Sequence, residues 1–598
     1  MREYSGPRSA DVPASEGIAD VVFRRADYEP DAVIMRKHLP AGGWLDVTAE
    51  EFRTEVAAVA SGLIAAGIGR GDRIALMSRT RYEWTLADYA IWAAGAVTVP
   101  VYETSSAEQV EWIMRNSAAR ALFADTEGCQ QTVASVRARL PDLERIWRID
   151  DLDALARGGA EVPADVLAER LGGTLADDLA TIVYTSGTTG RPKGCELSHR
   201  CLLADVRSAV AVLPELFGQP GASTLLFLPL AHVFARIIQI GVLDAGAVLG
   251  HWPDPNTVAD GLTGFRPTFL LAVPRVFEKI YYSAERRAAA STVGARLFAA
   301  ATQAAIDWSE TLSARRRAGV LRTIRHAAFD ALVYRRLRAA AGGRVRYAIS
   351  GGGPLSPRLG HFFCGAGITV LEGYGLTEAA GAATVNRPDR NRVGTVGSPL
   401  PGMAVRIAAD GEILLRGSSI FRGYWRSPGA TSHVLDSDGW LHTGDAGALD
   451  DEGVLRVTGR QKELIVTAGG INVAPAVLEE RMRERPLISH CLVVGDGRPY
   501  IGCLVALDPE DLDRWKQQHQ RRPDASAGDL ATDPELLAEV QEIVDEANKA
   551  VSRAESIRRF RILATDFSAA AGQLTPSDKV CRSVVTRDFA ADIEAMYA

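Results

Sequence analysis

The sequence LATIVYTSGTTGRPKG, at residues 179–194, indicates the fold because it joins a strand-like run to a loop of small and hydroxylated residues. The loop starts at the carboxyl end of the predicted strand, where α/β sheets usually bind ligands. Its glycines allow sharp turns that point backbone amides at an anion, and its hydroxyls and one ammonium add further donors. The residues concerned are Thr185, Ser186, Gly187, Thr188, Thr189, Gly190, Lys193 and Gly194. We therefore predict a phosphate-binding loop in an α/β fold.

The loop differs from the common P-loop of nucleotide-binding proteins. Lys193 is followed by Gly194, whereas that motif requires Ser or Thr after its lysine. The glycines alone would fit an ordinary surface loop equally well. The prediction therefore depends on the complete eleven-residue string YTSGTTGRPKG at residues 184–194.

The length and composition are those of a globular enzyme. With 598 residues, 47% of them hydrophobic, the chain can form about three to five compact units. A net charge of -7 argues against a nucleic-acid-binding protein. The seven cysteines form no CxxC pair, which predicts reduced thiols in a cytoplasmic protein. The most apolar run, residues 89–102, is too short to span a membrane and predicts a buried helix and strand.

Helix-like and strand-like segments alternate from about residue 47, which predicts parallel sheets covered by helices. A helical pattern at residues 50–68, for example, precedes the strand-like RIALMS at residues 73–78. Near residue 460 the pattern changes to a smaller α+β region, with a polar loop predicted at residues 516–532 and a helix at residues 533–554. The predicted fold is a large α/β body followed by a small α+β domain.

Residues 284–346 form an arginine-rich segment within the body. They contain thirteen arginines and no lysine against four acidic residues, so a local charge of +9 leaves -16 for the rest of the chain. Apolar residues recur there every three or four positions, which predicts amphipathic helices. Both a solvated helical face and a patch that contacts anionic lipid or ligand phosphates fit this pattern.

Four further motifs, together with the loop, resemble the signatures of the adenylate-forming (ANL) superfamily of acyl-CoA synthetases, adenylation domains and luciferases. They are SGGGPL at residues 350–355, EGYGLTE at 372–378, DGWLHTGDAGALDDEGVLRVTGRQK at 438–462 and GQLTPSDKVCR at 572–582. The resemblance extends from about residue 80 to residue 579. It implies an adenylation body of several subdomains at residues 1–459, a hinge at 460–462 and a mobile C-terminal domain at 463–598.

The resemblance assigns a nucleotide site to the body. The implied contacts are Gly351, Gly352, Gly353, Tyr374, Gly375, Asp445 and Arg460. Tyr374 would pack against the adenine, and Asp445 would accept hydrogen bonds from both ribose hydroxyls. One carboxylate can accept both bonds, so Asp445 would discriminate against a sugar that lacks a hydroxyl.

The resemblance also assigns residues to the phosphates and to Mg²⁺. Thr377 would contact the α-phosphate, and Lys193 would hold the phosphates that leave. Glu378 and Thr185 would bind Mg²⁺, a hard cation that prefers carboxylate and phosphate oxygens. These assignments place the phosphate loop and the EGYGLTE motif on one bound ATP.

The C-terminal motif implies that Lys579 is the catalytic cation that bridges the carboxylate and the α-phosphate. His232, in LPLAHVFAR at residues 228–236, would gate between carboxylate and thiol, although a lone histidine in an apolar stretch is also a common structural residue. Lys462 would lie at the hinge. Gly470, in GGIN at residues 469–472, would belong to the face that shapes the thiol tunnel after the domain rotates.

Two residues beside Lys579 depart from the commoner text LTPSLKVRR of this family. Asp578 precedes the lysine, and Cys581 stands where a basic residue is usual. A carboxylate next to a catalytic ammonium can change its electrostatic environment. The departure therefore leaves Lys579 as the implied catalytic residue and bears on the rate of the reaction that it would support.

Two stretches, YETSSAEQV at residues 102–110 and LAVPRVFEKI at residues 271–280, resemble the long-chain fatty acid branch specifically. The expected function is an ATP-dependent long-chain fatty acid:CoA ligase that uses ATP, Mg²⁺ and CoA. One alternative is a fatty acyl-AMP ligase that loads an acyl carrier protein, and another is an inactive nucleotide- or acyl-binding regulatory protein. A homodimer and a peripheral contact with the inner face of the membrane are further hypotheses, and no nucleic-acid partner is expected.

Overall fold

The computed structural model describes residues 2–9, 11–39, 41–185, 191–255, 257–314, 319–469, 471–575 and 578–598. Its largest sheet contains the strand that leads into the predicted phosphate loop. In spatial order its strands are Arg145–Arg148, Ala121–Ala124, Arg73–Met77, Val97–Val101, Leu179–Thr185 and Lys193–Ser198. All are parallel except Lys193–Ser198, which runs antiparallel to its neighbour. Val97–Val101 is buried throughout, as a parallel strand covered on both faces should be.

Two further sheets continue the α/β body. One contains, in spatial order, Ser223–Leu226, Val248–His251, Val33–His38 and Trp44–Thr48. The other contains Phe269–Ala272, Tyr347–Ser350, Thr369–Tyr374, Thr384–Val385 and Ser398–Pro399. Tyr347–Ser350 and Thr369–Tyr374 are parallel, so the glycines at residues 351–353 and Tyr374 lie at the same edge of this sheet.

An antiparallel sheet ends the body. Its strands, in spatial order, are Arg2–Ser5, Met403–Ile407, Glu412–Gly417, Leu441–Leu449 and Leu455–Arg460. In the last pair Asp445 lies directly opposite Arg460. The two residues that the sequence assigns to the ribose are therefore neighbours across one strand pair.

Helices cover the sheets of the body. The α-helices are Asp20–Tyr28, Ala49–Ala65, Tyr82–Ala93, Ala107–Ser117, Glu127–Val136, Leu152–Gly158, Ala164–Gly172, His199–Val212, Pro214–Phe217, Val233–Asp244, Val258–Phe265, Pro274–Ala288, Thr292–Ser313, Val320–Phe329, Arg335–Ala340, Pro357–Gly365 and Pro428–Val434. Ala49–Ala65 begins at a capping box in which Thr48 and Glu51 exchange hydrogen bonds, and it buries Phe52, Val56 and Leu63 on one face. The predicted alternation of helices and strands is confirmed.

The C-terminal region has its own small sheet. Ile488–Val494 pairs antiparallel with Ile501–Leu507, which is parallel to Ile557–Ile562, and a separate ribbon joins Ile465–Val466 to Asn472–Val473. Its α-helices are Pro475–Arg483, Pro509–Gln518, Ala527–Leu530, Pro534–Asn548, Arg582–Asp588 and Ala590–Tyr597. The prediction of a polar loop at residues 516–532 is wrong in part, because two of these helices extend into it. Lys516 is buried there, and its ammonium donates to the carbonyls of Pro523 and Ala525.

The apolar residues of the described chain form separate cores in the two regions. The main core of the body ends at Leu455, and the C-terminal core begins at Ile465. All seven cysteines are unpaired thiols, and five of them are buried. A search of the described residues finds no helix that combines the length and the apolar character needed to cross a membrane.

Candidate active site

The predicted phosphate loop closes a hairpin. Thr185, at the end of one strand, lies opposite Lys193, at the start of the next, and the Thr185 hydroxyl donates to the Lys193 carbonyl at 3.4 Å. The loop residues Ser186, Gly187, Thr188, Thr189 and Gly190 lie outside the described part of the chain. Their phosphate contacts, and the role of Thr185 at Mg²⁺, stay predictions.

Tyr424 connects Lys193 to Glu378. The Lys193 ammonium lies 5.0 Å from the centre of the Tyr424 ring, a cation–π distance, and the Tyr424 hydroxyl donates a 2.7 Å hydrogen bond to Glu378 Oε1. Burial and the Glu378 carboxylate raise the pKa of Tyr424 well above its usual value, so the phenol stays protonated and donates. Sequence analysis missed Tyr424, whose one visible signal is the group of three aromatic residues in FRGYW at residues 421–425.

A second cluster surrounds Asp445. The Tyr374 hydroxyl donates to Asp445 Oδ2 at 2.7 Å, and Arg460 Nε lies 3.2 Å from Asp445 Oδ1. Burial raises the pKa of the Asp445 carboxyl, whereas the Arg460 guanidinium opposes this shift. Arg460 itself is half exposed, with a side-chain exposure of 52%. The cluster thus offers a buried carboxylate and a guanidinium that remains accessible to an anion.

Backbone segments approach each other closely around Tyr374. A Cβ atom at Gly375 would collide with the carbonyl of Gly381, so only glycine fits that position. Gly351 follows the strand Tyr347–Ser350, and a Cβ atom there would press on the Phe234 ring at 3.2 Å. Gly352 adopts a left-handed backbone conformation with φ of 79°, while Gly353 continues the same turn. These glycines keep side chains away from the edge of the sheet.

The two clusters lie on one continuous segment. Tyr374 ends the strand Thr369–Tyr374, and Thr377 and Glu378 form the short 3₁₀ helix Thr377–Ala379 that follows it. Four residues can span at most about 14 Å of extended chain, so Tyr374 and Glu378 cannot be farther apart than the length of a nucleotide. The predicted nucleoside and phosphate contacts therefore lie within one nucleotide's length of each other, and we refer to the space that they border as the cleft.

Lys579, in the C-terminal region, interacts electrostatically with groups that border this cleft. Its ammonium keeps contact with solvent but is enclosed by protein on most sides, which lowers its pKa. The Arg460 guanidinium lowers that pKa further, whereas Asp445 and Glu463 act in the opposite direction. The lysine that the sequence identifies as catalytic is thus within electrostatic reach of the Asp445 cluster.

His232, on the body side, is within electrostatic reach of Lys579. The imidazole precedes the helix Val233–Asp244 and its Nδ1 accepts a 3.1 Å hydrogen bond from the Phe234 amide. Burial and the positive charge of Lys579 lower the pKa of His232 to about 4. The ring is therefore neutral at physiological pH, with its proton on Nε2. His232 serves both as a helix cap and as a neutral group beside the lysine.

The predicted hinge, residues 460–462, begins at Arg460. Lys462 lies in the 3₁₀ helix Gln461–Glu463, between the last strand of the body and the first ribbon of the C-terminal region. Gly470 lies outside the described residues. The hinge role of Lys462 and the thiol-tunnel role of Gly470 therefore stay predictions.

A large α/β body and a smaller α+β domain, whose lysine interacts electrostatically with a carboxylate and a guanidinium of the body, are the features expected of an adenylate-forming enzyme. The chain belongs to the AMP-binding enzyme family: the family model AMP-binding enzyme matches residues 22–425, and AMP-binding enzyme C-terminal domain matches residues 462–598. The predicted family resemblance is confirmed.

Comparison with individual proteins and solved structures agrees with this family. The chain is 49% identical over 602 residues to the long-chain-fatty-acid–CoA ligase FadD15 of Mycobacterium bovis, with full coverage of both chains. It is 30% identical to the long-chain-fatty-acid–CoA ligase heimdall of Drosophila melanogaster, over 93% of this chain and 90% of that protein. The adenylation domain of a carboxylate reductase from Mycobacterium chelonae superposes with a TM-score of 0.74 at 22% identity, over 97% of this chain and 91% of that structure. The structural likeness establishes the fold.

Proposed function

We propose that the protein is an ATP-dependent ligase that joins long-chain fatty acids to CoA through an acyl adenylate. The electrostatic interaction of Lys579 with Asp445, Arg460 and His232 carries this proposal, because a cation is needed where two anions must react. The 49% identity to a full-length long-chain-fatty-acid–CoA ligase supports the substrate class.

The reaction needs activation because a carboxylate resists nucleophiles. In the first step a carboxylate oxygen attacks the α-phosphate of ATP, and the bond to the bridging oxygen breaks as pyrophosphate leaves. In the second step the CoA thiol attacks the acyl carbon, loses its proton and releases AMP. No covalent enzyme nucleophile is required.

The Asp445 cluster is suited to hold the nucleoside. The Asp445 carboxylate can accept both ribose hydroxyls while Arg460 and Tyr374 fix its orientation. Lys579 then neutralises charge between the fatty acid carboxylate and the α-phosphate, where Thr377 can donate its hydroxyl. Neutral His232 adds no charge that would compete with Lys579 for the carboxylate.

Glu378 and Lys193 are suited to the departing phosphates. No group of three or more His, Cys, Asp or Glu side chains that could hold a metal occurs among the described residues. A single carboxylate such as Glu378 fits Mg²⁺ nevertheless, because this cation usually completes its shell with substrate phosphates and water. When bound, Mg²⁺ supplies positive charge to the phosphates. Tyr424 orients the Glu378 carboxylate for this purpose.

The second step needs another arrangement of the C-terminal domain. We assign the body to residues 1–459, the hinge to 460–462 and the mobile domain to 463–598, and the break between the two cores after Leu455 supports this division. Rotation about Lys462 would withdraw Lys579 and bring the segment with Gly470 toward the acyl adenylate.

Pyrophosphate release tests the proposal. The enzyme is incubated with ATP, Mg²⁺ and carboxylic acids from acetate to C20, with and without CoA, and we expect release that peaks for long chains and yields acyl-CoA. Release without thioester formation would instead support loading of a carrier protein. No release with any acid would contradict the ligase and favour a binding protein.

A surface of the arginine-rich segment is suited to collect such acids from a membrane. Val320, Leu321 and Ile324 are 78%, 80% and 62% exposed on the helix Val320–Phe329, although apolar side chains on a monomer are usually covered when they cluster. Leu332 continues the apolar stripe, and exposed arginines surround it. Basic residues around an apolar stripe fit a surface of anionic lipid.

Flotation with vesicles of anionic or neutral lipid tests this membrane contact. The double variant Leu321→Ser with Ile324→Ser should lose binding to anionic vesicles, and the charge reversals Arg335→Glu and Arg336→Glu should weaken it. Arg315, Arg316 and Arg317 lie outside the described residues. Unchanged flotation of both variants would exclude this surface.

A further inference from the structure

Asp578, one of the two residues that depart from the family text, contacts different groups from its neighbour Lys579. Its carboxylate lies 3.4 Å from His490 Nε2 and 3.9 Å from Arg275 Nε. The Lys579 ammonium instead interacts with the groups of the nucleotide cleft. Two adjacent side chains therefore interact with different parts of the protein: Lys579 with the groups of the proposed site, and Asp578 with His490 and Arg275.

His490 anchors Asp578 to the core of the C-terminal domain. It lies on the strand Ile488–Val494, and its Nδ1 is 3.0 Å from Asp566 Oδ1. Burial disfavours the charged ring, but the carboxylates of Asp566 and Asp578 outweigh burial and raise the pKa of His490 to about 9. The ring is thus an imidazolium at neutral pH that donates to one carboxylate on each side.

The backbone around Asp578 explains why an aspartate fits there. Leu574 pairs antiparallel with Val580, and the Thr575 amide donates to the Lys579 carbonyl at 2.8 Å. Asp578 has a φ of 63°, in the left-handed region that Asp and Asn tolerate better than a branched or long apolar residue. The leucine of the commoner family text would be strained in this conformation.

Arg275 belongs to the body. It lies in the first turn of the helix Pro274–Ala288, so its contact with Asp578 crosses the boundary between the two domains. A rotation that withdraws Lys579 would also separate Arg275 from Asp578. The contact is therefore specific to the arrangement in which Lys579 occupies the cleft.

We propose that Asp578 is a positioning residue for Lys579: clamped by His490 and joined to Arg275, it favours the adenylating arrangement of the domains. The inference rests on the proposed ligase activity, which supplies the two half-reactions that distinguish it. It assigns no contact with substrate to Asp578 and no proton transfer to His490.

The substitution Asp578→Asn tests the role because asparagine keeps the tolerance for a left-handed backbone and removes the charge. Pyrophosphate release without CoA should fall about 5- to 20-fold, since a displaced catalytic group loses rate steeply. Thioester formation from supplied acyl adenylate should stay within about twofold. Arg275→Gln should show the same pattern more weakly, and Asp578→Glu should recover part of the first half-reaction.

Arg286→Gln is the matched control. Arg286 lies on the same helix as Arg275 and also crosses the boundary, at 3.6 Å from Asp511, but this contact does not involve Asp578 or Lys579. An equal loss of adenylation in Arg286→Gln and Arg275→Gln would overturn the proposal in favour of general attraction between domains. Equal loss of both half-reactions in Asp578→Asn, or no loss in either, would overturn it too.

Hydrogen exchange separates this proposal from the proposed function. In the enzyme without ligands, the segment at residues 573–582 should exchange faster in Asp578→Asn than in the unsubstituted protein, while Arg561→Gln, which removes an ion pair with Asp592, should leave it unchanged. Unchanged exchange in Asp578→Asn would overturn the positioning role whether or not the enzyme releases pyrophosphate. If the unsubstituted enzyme released no pyrophosphate with any acid, that result would contradict the proposed ligase function but not the positioning role of Asp578.

Discussion

At the scale of a residue, the surroundings of Lys579 lower the pKa of the side chain that we propose as the catalytic cation. Enclosure in the cleft and the Arg460 guanidinium both lower the pKa of the ammonium, while Asp445 and Glu463 oppose them. The same carboxylate that is suited to the ribose thus helps to keep the lysine protonated. If both residues have the proposed roles, nucleotide binding and charge neutralisation are coupled through Asp445.

Lys579→Ala should separate the two half-reactions. Adenylation should fall about 100-fold or more, since the lost cation faces charge that develops on the α-phosphate. Thioester formation from supplied acyl adenylate should change little, because the lysine is withdrawn in that step. Single-turnover measurements of both steps check this, and an equal loss in both would contradict the assigned role.

Glu463→Gln should shift the pH dependence of adenylation. The reactive form of Lys579 is protonated, so adenylation is lost as pH rises through its pKa, and the Glu463 carboxylate raises that pKa. Its removal should move the alkaline limb of the rate profile toward lower pH. Glu463→Asp, which retains the charge, is the control, and a limb that does not move in Glu463→Gln would refute the coupling.

Sequence reasoning identified most members of the site but not Tyr424. Asp445, Arg460 and Lys579 stand in long motifs, and the structure brings them together, whereas their chemical roles stay predictions. Tyr424 acts through a contact with Glu378 across 46 positions of sequence. A pairing of that kind depends on how the 422–425 segment lies beside the strand Lys193–Ser198, which local sequence does not encode.

At the scale of elements, the parallel strands were the most predictable feature. Runs such as IALM, at residues 74–77, are apolar and buried throughout because helices cover both faces of the sheet, which leaves a strong signal. The prediction of a polar loop at residues 516–532 was wrong in part because a charged residue in it is buried. The Lys516 ammonium is satisfied inside the domain by donating to backbone carbonyls, so a hydrophilic composition there does not indicate an exposed loop.

Gly375→Ala tests the close approach of the two backbone segments after Tyr374. The new methyl group would meet the Gly381 carbonyl, and relieving the collision should cost about 2–4 kcal/mol of the free energy of unfolding of the body. Gly429→Ala is the control, because an added Cβ there has open space. Denaturant unfolding of both variants measures the difference, and equal stabilities would show that the segments move apart freely.

At the scale of the whole molecule, the two separate cores predict two unfolding transitions. Leu536 is fully buried in the C-terminal core and Leu76 in the body. Each change to alanine should cost about 2–5 kcal/mol and lower only the transition of its own domain. Scanning calorimetry checks this, and a shift of both transitions in both variants would indicate a single cooperative unit instead.

Lys579 follows Arg460 by 119 positions, so the order of synthesis matters for this site. At ordinary translation rates roughly 6 to 24 s pass between the emergence of the two residues. During that interval a nascent chain carries the residues predicted to contact the nucleotide and the phosphates but lacks the proposed catalytic cation. If Lys579 has that role, we expect that a growing polypeptide does not consume ATP before the second domain has been made.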